Sequence, residues 1–176
     1  MVDRGALTIH WVARSLPNFT MSTKAKPIPD GYSAVTPYLI IKGAAQALDF
    51  YQRVFGARER MRLPGPGGAI MHAEIEIGGA AIMLADEFPQ MGAVSPQTLG
   101  GSSVFVHLYV PDADAMFTAA LAAGAKCEQP MANKFYGDRS GTLLDPYGHR
   151  WTLATHIEDV TPEEIGQRMA AMMKGG

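Results

Sequence analysis

Two segments built on one plan decide the fold of this chain. Residues 38–58 read YLIIKGAAQALDFYQRVFGAR, and residues 107–126 read HLYVPDADAMFTAALAAGAK. Each pattern predicts a strand, a short turn, an amphipathic helix and a Gly-Ala-basic stop, because an apolar run is followed by apolar residues at helical spacing. About 68 residues separate Gly56 from the corresponding Gly124. The chain therefore contains an internal repeat.

Both halves continue with three strand-like runs. The first helix is predicted over 44–55, where Ala44, Leu48, Tyr51 and Phe55 form one buried stripe. The second helix is predicted over about 112–123, with Asp112 as its N-cap. The strand-like runs that follow are about 58–63, 70–77 and 80–86 in the first half, then about 125–130, 140–145 and 150–155 in the second. One strand, one helix and three strands are thus expected twice.

The repeat sets the predicted domain organisation. Residues 31–157 form one domain of two half-repeats, about 34–86 and 103–157, and the Pro-, Gly- and Ser-rich residues 87–102 connect them. Asp145 to Gly148 match a type I turn that joins the last two strands. Residues 1–30 are expected to be an N-terminal arm, and residues 158–176 a C-terminal helix opened by a capping box at Thr161.

Composition limits the class of protein. The chain has 176 residues, 47% hydrophobic and 18% charged, which is ordinary for a globular protein with a sizeable core. Its formal net charge of -2 provides no basic field for nucleic acid, and no apolar run reaches the roughly 20 residues of a membrane-spanning helix. Cys127 is the only cysteine, which fits a reducing compartment. We therefore predict a cytoplasmic protein without nucleic-acid or membrane partners.

Two motifs carry a resemblance to a known family: LDFY at 48–51 and DPYGHRW at 145–151. Together with the repeated plan, they resemble the vicinal-oxygen-chelate superfamily (glyoxalase, bleomycin-resistance and dioxygenase relatives), in its PhnB-like branch, over about residues 32–157. The resemblance implies an α+β fold in which two tandem βαβββ modules form a curved, incomplete barrel with helices on the convex face. It also implies a small-molecule ligand on the concave face, and a homodimer.

Strand alternation assigns residues to the two faces of the predicted sheets, because successive side chains point to opposite sides. One face is apolar and suited to pack under helices: Leu39, Ile41, Ala73, Ile75, Ile77, Ile82, Leu84, Val106, Leu108, Val110, Trp151 and Leu153. The other face mixes aromatic and polar residues: Thr36, Tyr38, His72, Glu74, Ala81, Met83, Phe105, His107, Tyr109, Thr152 and Ala154. This second face is the predicted binding pocket.

The family's metal chemistry can be tested against these positions. Metal-dependent relatives use His, Gln or Glu ligands on four strands, and those positions align with Thr36, Met83, Phe105 and Thr152. A thioether and a phenyl ring are poor ligands for divalent ions that polarise oxygen. We therefore predict no metal or other cofactor, and we disfavour a glyoxalase I or extradiol dioxygenase of the usual kind.

His72 and Glu74 are the candidate catalytic residues. Their two-residue spacing places them on one face, where the carboxylate can increase the basicity of the imidazole for general-base catalysis. Alternatively, Glu74 lies half-exposed at the rim and His72 is a satisfied core histidine. A third arrangement has His72, Glu74 and His107 around a relocated metal ion.

Two further features leave alternatives open. Arg139 follows the tight turn at Gly137 and either binds an anionic substituent at the pocket mouth or forms a salt bridge with Asp138 or Asp145. The methionines at 169, 172 and 173 lie along one side of the last helix and cover an intramolecular or a dimer surface.

Three classes of function follow from these residues. The favoured class is a metal-free pocket that binds a small, partly aromatic molecule by burial and stacking between Tyr38, Phe105 and Tyr109. The second is an enzyme of lyase, isomerase or dioxygenase type, with His72 as base or with a relocated metal. The third is a structural dimer module whose open face has no cavity.

Overall fold

The computed structural model describes residues 25–174. The first half contains β1 (Tyr38–Ile41), α1 (Ala44–Phe55), β2 (Arg58–Pro64), β3 (Ile70–Ile77) and β4 (Ala80–Asp86), followed by a short connector helix, α2 (Pro96–Leu99). The second half contains β5 (Phe105–Tyr109), α3 (Ala113–Ala122), β6 (Lys126–Asn133), β7 (Asp138–Leu144) and β8 (Arg150–His156), and α4 (Pro162–Lys174) follows it. The predicted order of one strand, one helix and three strands is confirmed in both halves.

Some predictions fall at the ends of the chain. Residues 1–24 of the predicted N-terminal arm and residues 175–176 after α4 lie outside the described residues. The predicted connector contains α2, whose N-cap Ser95 accepts a hydrogen bond from the backbone N–H of Thr98. In residues 25–174, no helix has the length and apolar character needed to cross a membrane.

Each half forms its own four-stranded sheet. The strand orders are β1-β4-β3-β2 and β5-β8-β7-β6, so the second half repeats the topology of the first. In each sheet the first strand runs parallel to the last, because a helix crosses between the first and second strands, and the other pairs are antiparallel. Neither sheet closes on itself. The predicted α+β class with two tandem βαβββ modules is confirmed.

The core lies between the apolar sheet faces and the helices α1 and α3. The predicted apolar face is buried or half-buried in the core throughout. The stripe of α1 is buried as predicted, and Gly56 ends the helix in the left-handed conformation at φ 64°. The opposite faces of the two sheets, called here the open faces, remain available for a site.

A buried carboxylate joins the two halves. Asp145 accepts hydrogen bonds from the Tyr51 hydroxyl at 2.7 Å and from the indole N–H of Trp151 at 3.0 Å. It also accepts from the backbone N–H groups of Tyr147 and His149, each at 2.9 Å. The backbone bond from Gly148 to Asp145 closes the predicted turn. Since Tyr51 belongs to the first half and the other donors to the second, this hub fixes the modules against each other.

Candidate functional site

A chain of hydrogen bonds runs along the open face of the first sheet. The Tyr38 hydroxyl lies 3.0 Å from His72 Nδ1, and His72 Nε2 lies 3.2 Å from Glu74 Oε1. The two-residue spacing on β3 and the position of β1 beyond β4 bring these groups together. Glu74 is 6% exposed, so it is buried and hydrogen-bonded rather than half-exposed at a rim.

Tyr32 extends this network and was not predicted from the sequence. Its hydroxyl donates a short hydrogen bond to Glu74 Oε2, and the guanidinium of Arg60 lies 4.4 Å from its ring centroid. The Tyr32 hydrogen bond, helped by the bond from His72, lowers the pKa of Glu74 despite its burial. The same bond raises the pKa of Tyr32. Glu74 is therefore an ionised carboxylate held from two sides.

A cavity of about 640 Å³ lies where β1, β5 and the connector meet, and we call it the junction cavity. Tyr38, Phe105 and His107 contribute to its wall from the two sheets, and Val94 and Leu99 contribute from the connector. Among residues 25–174, no Asp, Glu, Lys or Arg belongs to its lining. The volume lies within the range of small-molecule sites.

Two polar groups of the junction cavity, Tyr38 and His149, have pKa values that favour their neutral forms. Burial raises the pKa of Tyr38, which therefore keeps its proton. Burial also lowers the pKa of His149, whose Nε2 lies 3.2 Å from the backbone carbonyl oxygen of Ile40. The cavity thus offers aromatic surface and a few neutral hydrogen-bonding groups.

Thr36 and Met83 lie elsewhere. They line a second cavity of about 390 Å³, together with Tyr32 and the residues 27–29 that precede it. Of the open-face residues predicted in the first half, Thr36 and Met83 therefore line this second cavity and Tyr38 lines the junction cavity.

Tyr109 belongs to a separate polar cluster on the second sheet. Its hydroxyl donates to Asp138 Oδ2 at 2.7 Å, and His156 Nδ1 lies 2.8 Å from Asp138 Oδ1. His156 Nε2 also lies 3.0 Å from Asp159. The bonds to these two carboxylates raise the pKa of His156. The predicted stacking partner Tyr109 is thus not part of the junction cavity lining.

Two other predicted site residues form hydrogen bonds with side chains of the protein itself. Thr152 shares a hydrogen bond of 3.1 Å with Thr142 on the neighbouring strand. The prediction for Arg139 requires correction, because its guanidinium binds Asp114 of α3 at 2.5 Å rather than lying at a pocket mouth or pairing with Asp138 or Asp145. The reason is strand alternation: Arg139 points to the helix side of β7, opposite to its neighbour Asp138.

The positions that hold a metal ion in related proteins do not fit one here. Thr36, Met83, Phe105 and Thr152 offer two hydroxyls, a thioether and a phenyl ring, which is not a ligand set for a divalent cation. The relocated site is not assembled either, because His107 packs against Tyr109 on the second sheet while His72 and Glu74 bond on the first. Within the described part of the chain, no three His, Cys, Asp or Glu side chains converge as a metal site.

The fold and the open faces together define a class of proteins made of paired βαβββ modules. A family model described as the Glyoxalase/Bleomycin resistance protein/Dioxygenase superfamily matches residues 34–153. The chain belongs to this superfamily, as its motifs predicted.

Relatives of the chain include proteins from mycobacteria. An uncharacterised protein of Mycobacterium bovis is 41% identical over 145 residues, which are 81% of this chain and 95% of that protein. Another, from Mycobacterium tuberculosis, is 39% identical over 159 residues, covering 89% of this chain and 90% of that protein.

Solved structures show the same fold. TioX from a Micromonospora species is 30% identical, with a TM-score of 0.55, over 71% of this chain and 99% of that one. A PhnB protein from Bacillus cereus is 20% identical, with a TM-score of 0.53, over 70% of this chain and 99% of that one. At that identity, the second likeness concerns the fold alone.

Proposed function

We propose that this protein binds a small, uncharged, planar aromatic molecule in the junction cavity. The observation that carries the proposal is a hollow of about 640 Å³, walled by Tyr38 and Phe105, in whose lining the described residues place no Asp, Glu, Lys or Arg. An ionic ligand there loses hydration without gaining a counter-ion, whereas an aromatic ring gains burial and stacking.

Phe105 is held in place for this role. The guanidinium of Arg150 lies 5.3 Å from the centroid of its ring, and Arg150 is itself bound at 2.9 Å by Glu128. A ring fixed in this way loses little further freedom when a ligand stacks on it, which favours affinity.

A thermal-shift titration tests the proposal. Indole and 2-naphthol should raise the melting temperature, while 2-naphthoate, which has the same ring system and a charge, should not. At a ligand concentration 100-fold above Kd, the expected stabilisation is about 2.7 kcal/mol. Phe105→Ala should weaken binding at least tenfold, and Leu121→Ala, which removes an apolar side chain on α3, should not. Equal binding of the neutral and anionic compounds would contradict the proposal.

A second candidate is an enzyme of lyase, isomerase or dioxygenase type that depends on proton transfer, with His72 as the base. It is favoured by the hydrogen bonds that link Tyr38, His72 and Glu74. Replacement of His72 by Ala should then abolish turnover and leave ligand affinity within a few-fold. If affinity falls as much as turnover, His72 only shapes the pocket.

We further propose that the protein is a homodimer. Val104 and Tyr109 are 63% and 59% exposed on the second half, and Met172 and Met173 of α4 are 64% and 78% exposed. Within the described residues, these methionines of α4 therefore pack against no surface of the same chain. We assign them to a contact with a second copy of the chain. Sedimentation velocity should show a dimer that the double variant Met172→Lys/Met173→Lys weakens. A wild-type monomer at all accessible concentrations refutes this assembly.

We place the protein in the cytoplasm, since the chain has one cysteine, which is exposed and free. Cell fractionation with an antibody against the native protein tests this location, and recovery from an oxidising compartment would contradict it.

A further inference from the structure

Tyr38 is the member of the polar network that also lines the junction cavity. Neither His72 nor Glu74 is in the cavity wall, and Tyr32 lines the second cavity instead. A molecule in the junction cavity therefore meets the network at Tyr38. His72 is linked to the cavity wall by the 3.0 Å contact between its Nδ1 and the Tyr38 hydroxyl.

The bonding pattern sets the direction of each hydrogen bond. Glu74 is ionised and accepts bonds, so His72 donates to it through Nε2–H. In the tautomer with the hydrogen on Nε2, Nδ1 is an acceptor and takes a hydrogen bond from the Tyr38 hydroxyl. Tyr32 occupies the other carboxylate oxygen and holds Glu74 in this orientation. The order of groups is hydroxyl, imidazole and carboxylate, the same order by which a neighbouring base activates a hydroxyl group in nucleophilic catalysis.

We propose that Tyr38 is the catalytic residue of a proton relay through His72 to Glu74, acting on an uncharged aromatic substrate that carries an acidic C–H bond. The relay rests on the proposed binding of such molecules in the junction cavity. His72 and Glu74 are positioning residues in this scheme, because they act through Tyr38. This differs from direct proton removal by His72.

Two protons move together in this step. The substrate proton moves to the Tyr38 oxygen while the hydroxyl proton of Tyr38 moves to His72 Nδ1. The electron pair of the broken C–H bond stays with the substrate. The imidazolium is stabilised by the Glu74 carboxylate, and it later returns its proton to Tyr38 as Tyr38 releases one to water. No oxidant, reductant or metal ion takes part in these transfers.

A suitable probe is 5-nitrobenzisoxazole, a neutral bicyclic aromatic compound. Loss of its C–H proton forms a nitrile as the N–O bond breaks, and its oxygen leaves as a coloured nitrophenolate that is followed by absorbance. The wild-type protein should show saturable turnover. Tyr38→Phe should lower kcat on the order of 100-fold, the usual scale of general acid–base catalysis, and leave KM within a few-fold.

Three variants complete the test. His72→Gln and Glu74→Gln should each lower kcat with little change in KM, because they disturb the relay and not the cavity wall. Tyr136→Phe, which removes a hydroxyl on the loop between β6 and β7, should leave both constants unchanged. Melting temperatures of all variants confirm that they are folded.

The possible results separate the relay from the cavity proposal. If Tyr38→Phe keeps or increases kcat, His72 reaches the probe directly and the relay is refuted, while binding in the cavity stands. If the probe binds but turnover is no faster in wild type than in Tyr38→Phe, the relay is also refuted. If the probe does not bind up to its solubility limit, both proposals are overturned.

Discussion

Replacement of Tyr51 by Phe tests how the two halves are held together. The Tyr51 hydroxyl is fully buried and donates at 2.7 Å to Asp145, whose carboxylate is also buried. Loss of the hydroxyl leaves Asp145 Oδ2 with the indole N–H of Trp151 as its donor among the residues that the structure describes. The ring keeps its contacts with Phe55 and Trp151, so the change isolates the hydrogen bond.

The expected loss follows from the charge of the acceptor. A hydrogen bond to a charged group contributes about 1.5–3 kcal/mol to the free energy of unfolding. For a protein of this size, about 2–4 °C in melting temperature corresponds to each kcal/mol, so the variant should melt roughly 3–12 °C lower. Equilibrium unfolding in urea measures the free energy directly, with an unchanged m-value.

Tyr147→Phe is the matched control. Tyr147 packs edge-to-face on Tyr51 beside the same carboxylate, but its hydroxyl bonds to no protein group in residues 25–174. Its loss should cost less than about 0.5 kcal/mol, the range for changes outside specific interactions. Equal losses for Tyr51→Phe and Tyr147→Phe would refute the role of the Asp145 hub.

Three other perturbations have defined outcomes. The lowered pKa of Glu74 gives stability that is present above the ordinary pKa of a glutamate and is lost as pH falls through the pKa of the folded protein. Tyr32→Phe removes a hydrogen bond that lowers this pKa, so the free energy of unfolding in urea should depend less on acid pH in the variant. The raised pKa of His156 gives stability that is present at low pH and is lost as pH rises through the pKa of the folded protein. The melting temperature of His156→Asn should therefore change less than that of wild type as pH rises above the ordinary range of a histidine. Gly137→Ala should destabilise by more than about 1 kcal/mol, because φ is +99° and the new Cβ overlaps the Glu158 carbonyl.

Controls for these variants are available in the same chain. Gly78→Ala also has a positive φ, at +57°, but its Cβ meets no atom of the described residues within 4 Å, so it should cost less than Gly137→Ala. Tyr136→Phe should leave both pH dependences unchanged. A pH profile that is the same in His156→Asn as in wild type would show that another group titrates.

The fold was predictable because its signals are local. Residues 44–55 carry apolar side chains at helical spacing and are followed by Gly56, and α1 has the bounds 44–55 in the structure. The two-residue alternation of the strands correctly separated the core face from the open face. The same rule explains the correction for Arg139. It lies four residues before Leu143, so both side chains point to the helix side of β7, whereas Asp138 points to the opposite side.

Parts of the site had no such signal. Tyr32 lies in an irregular segment before β1, where no periodicity indicates the direction of a side chain, and it reaches Glu74 across 42 positions of sequence. Val94 and Leu99 come from the connector and reach the junction cavity only because that segment lies against β1 and β5. Sequence spacing carries no information on such long-range approaches.

The amino-acid sequence by itself determined the repeated modules, their helices and strands, and which residues face the core. These follow from periodicities of about two and 3.6 residues, which each segment carries independently of the others. Only the tertiary structure decided that Tyr38, Phe105 and His107 share one cavity while Thr36, Met83 and Tyr109 lie outside its lining. That division depends on how two separate sheets and a connector meet, and the contacts that set it join residues far apart in the chain.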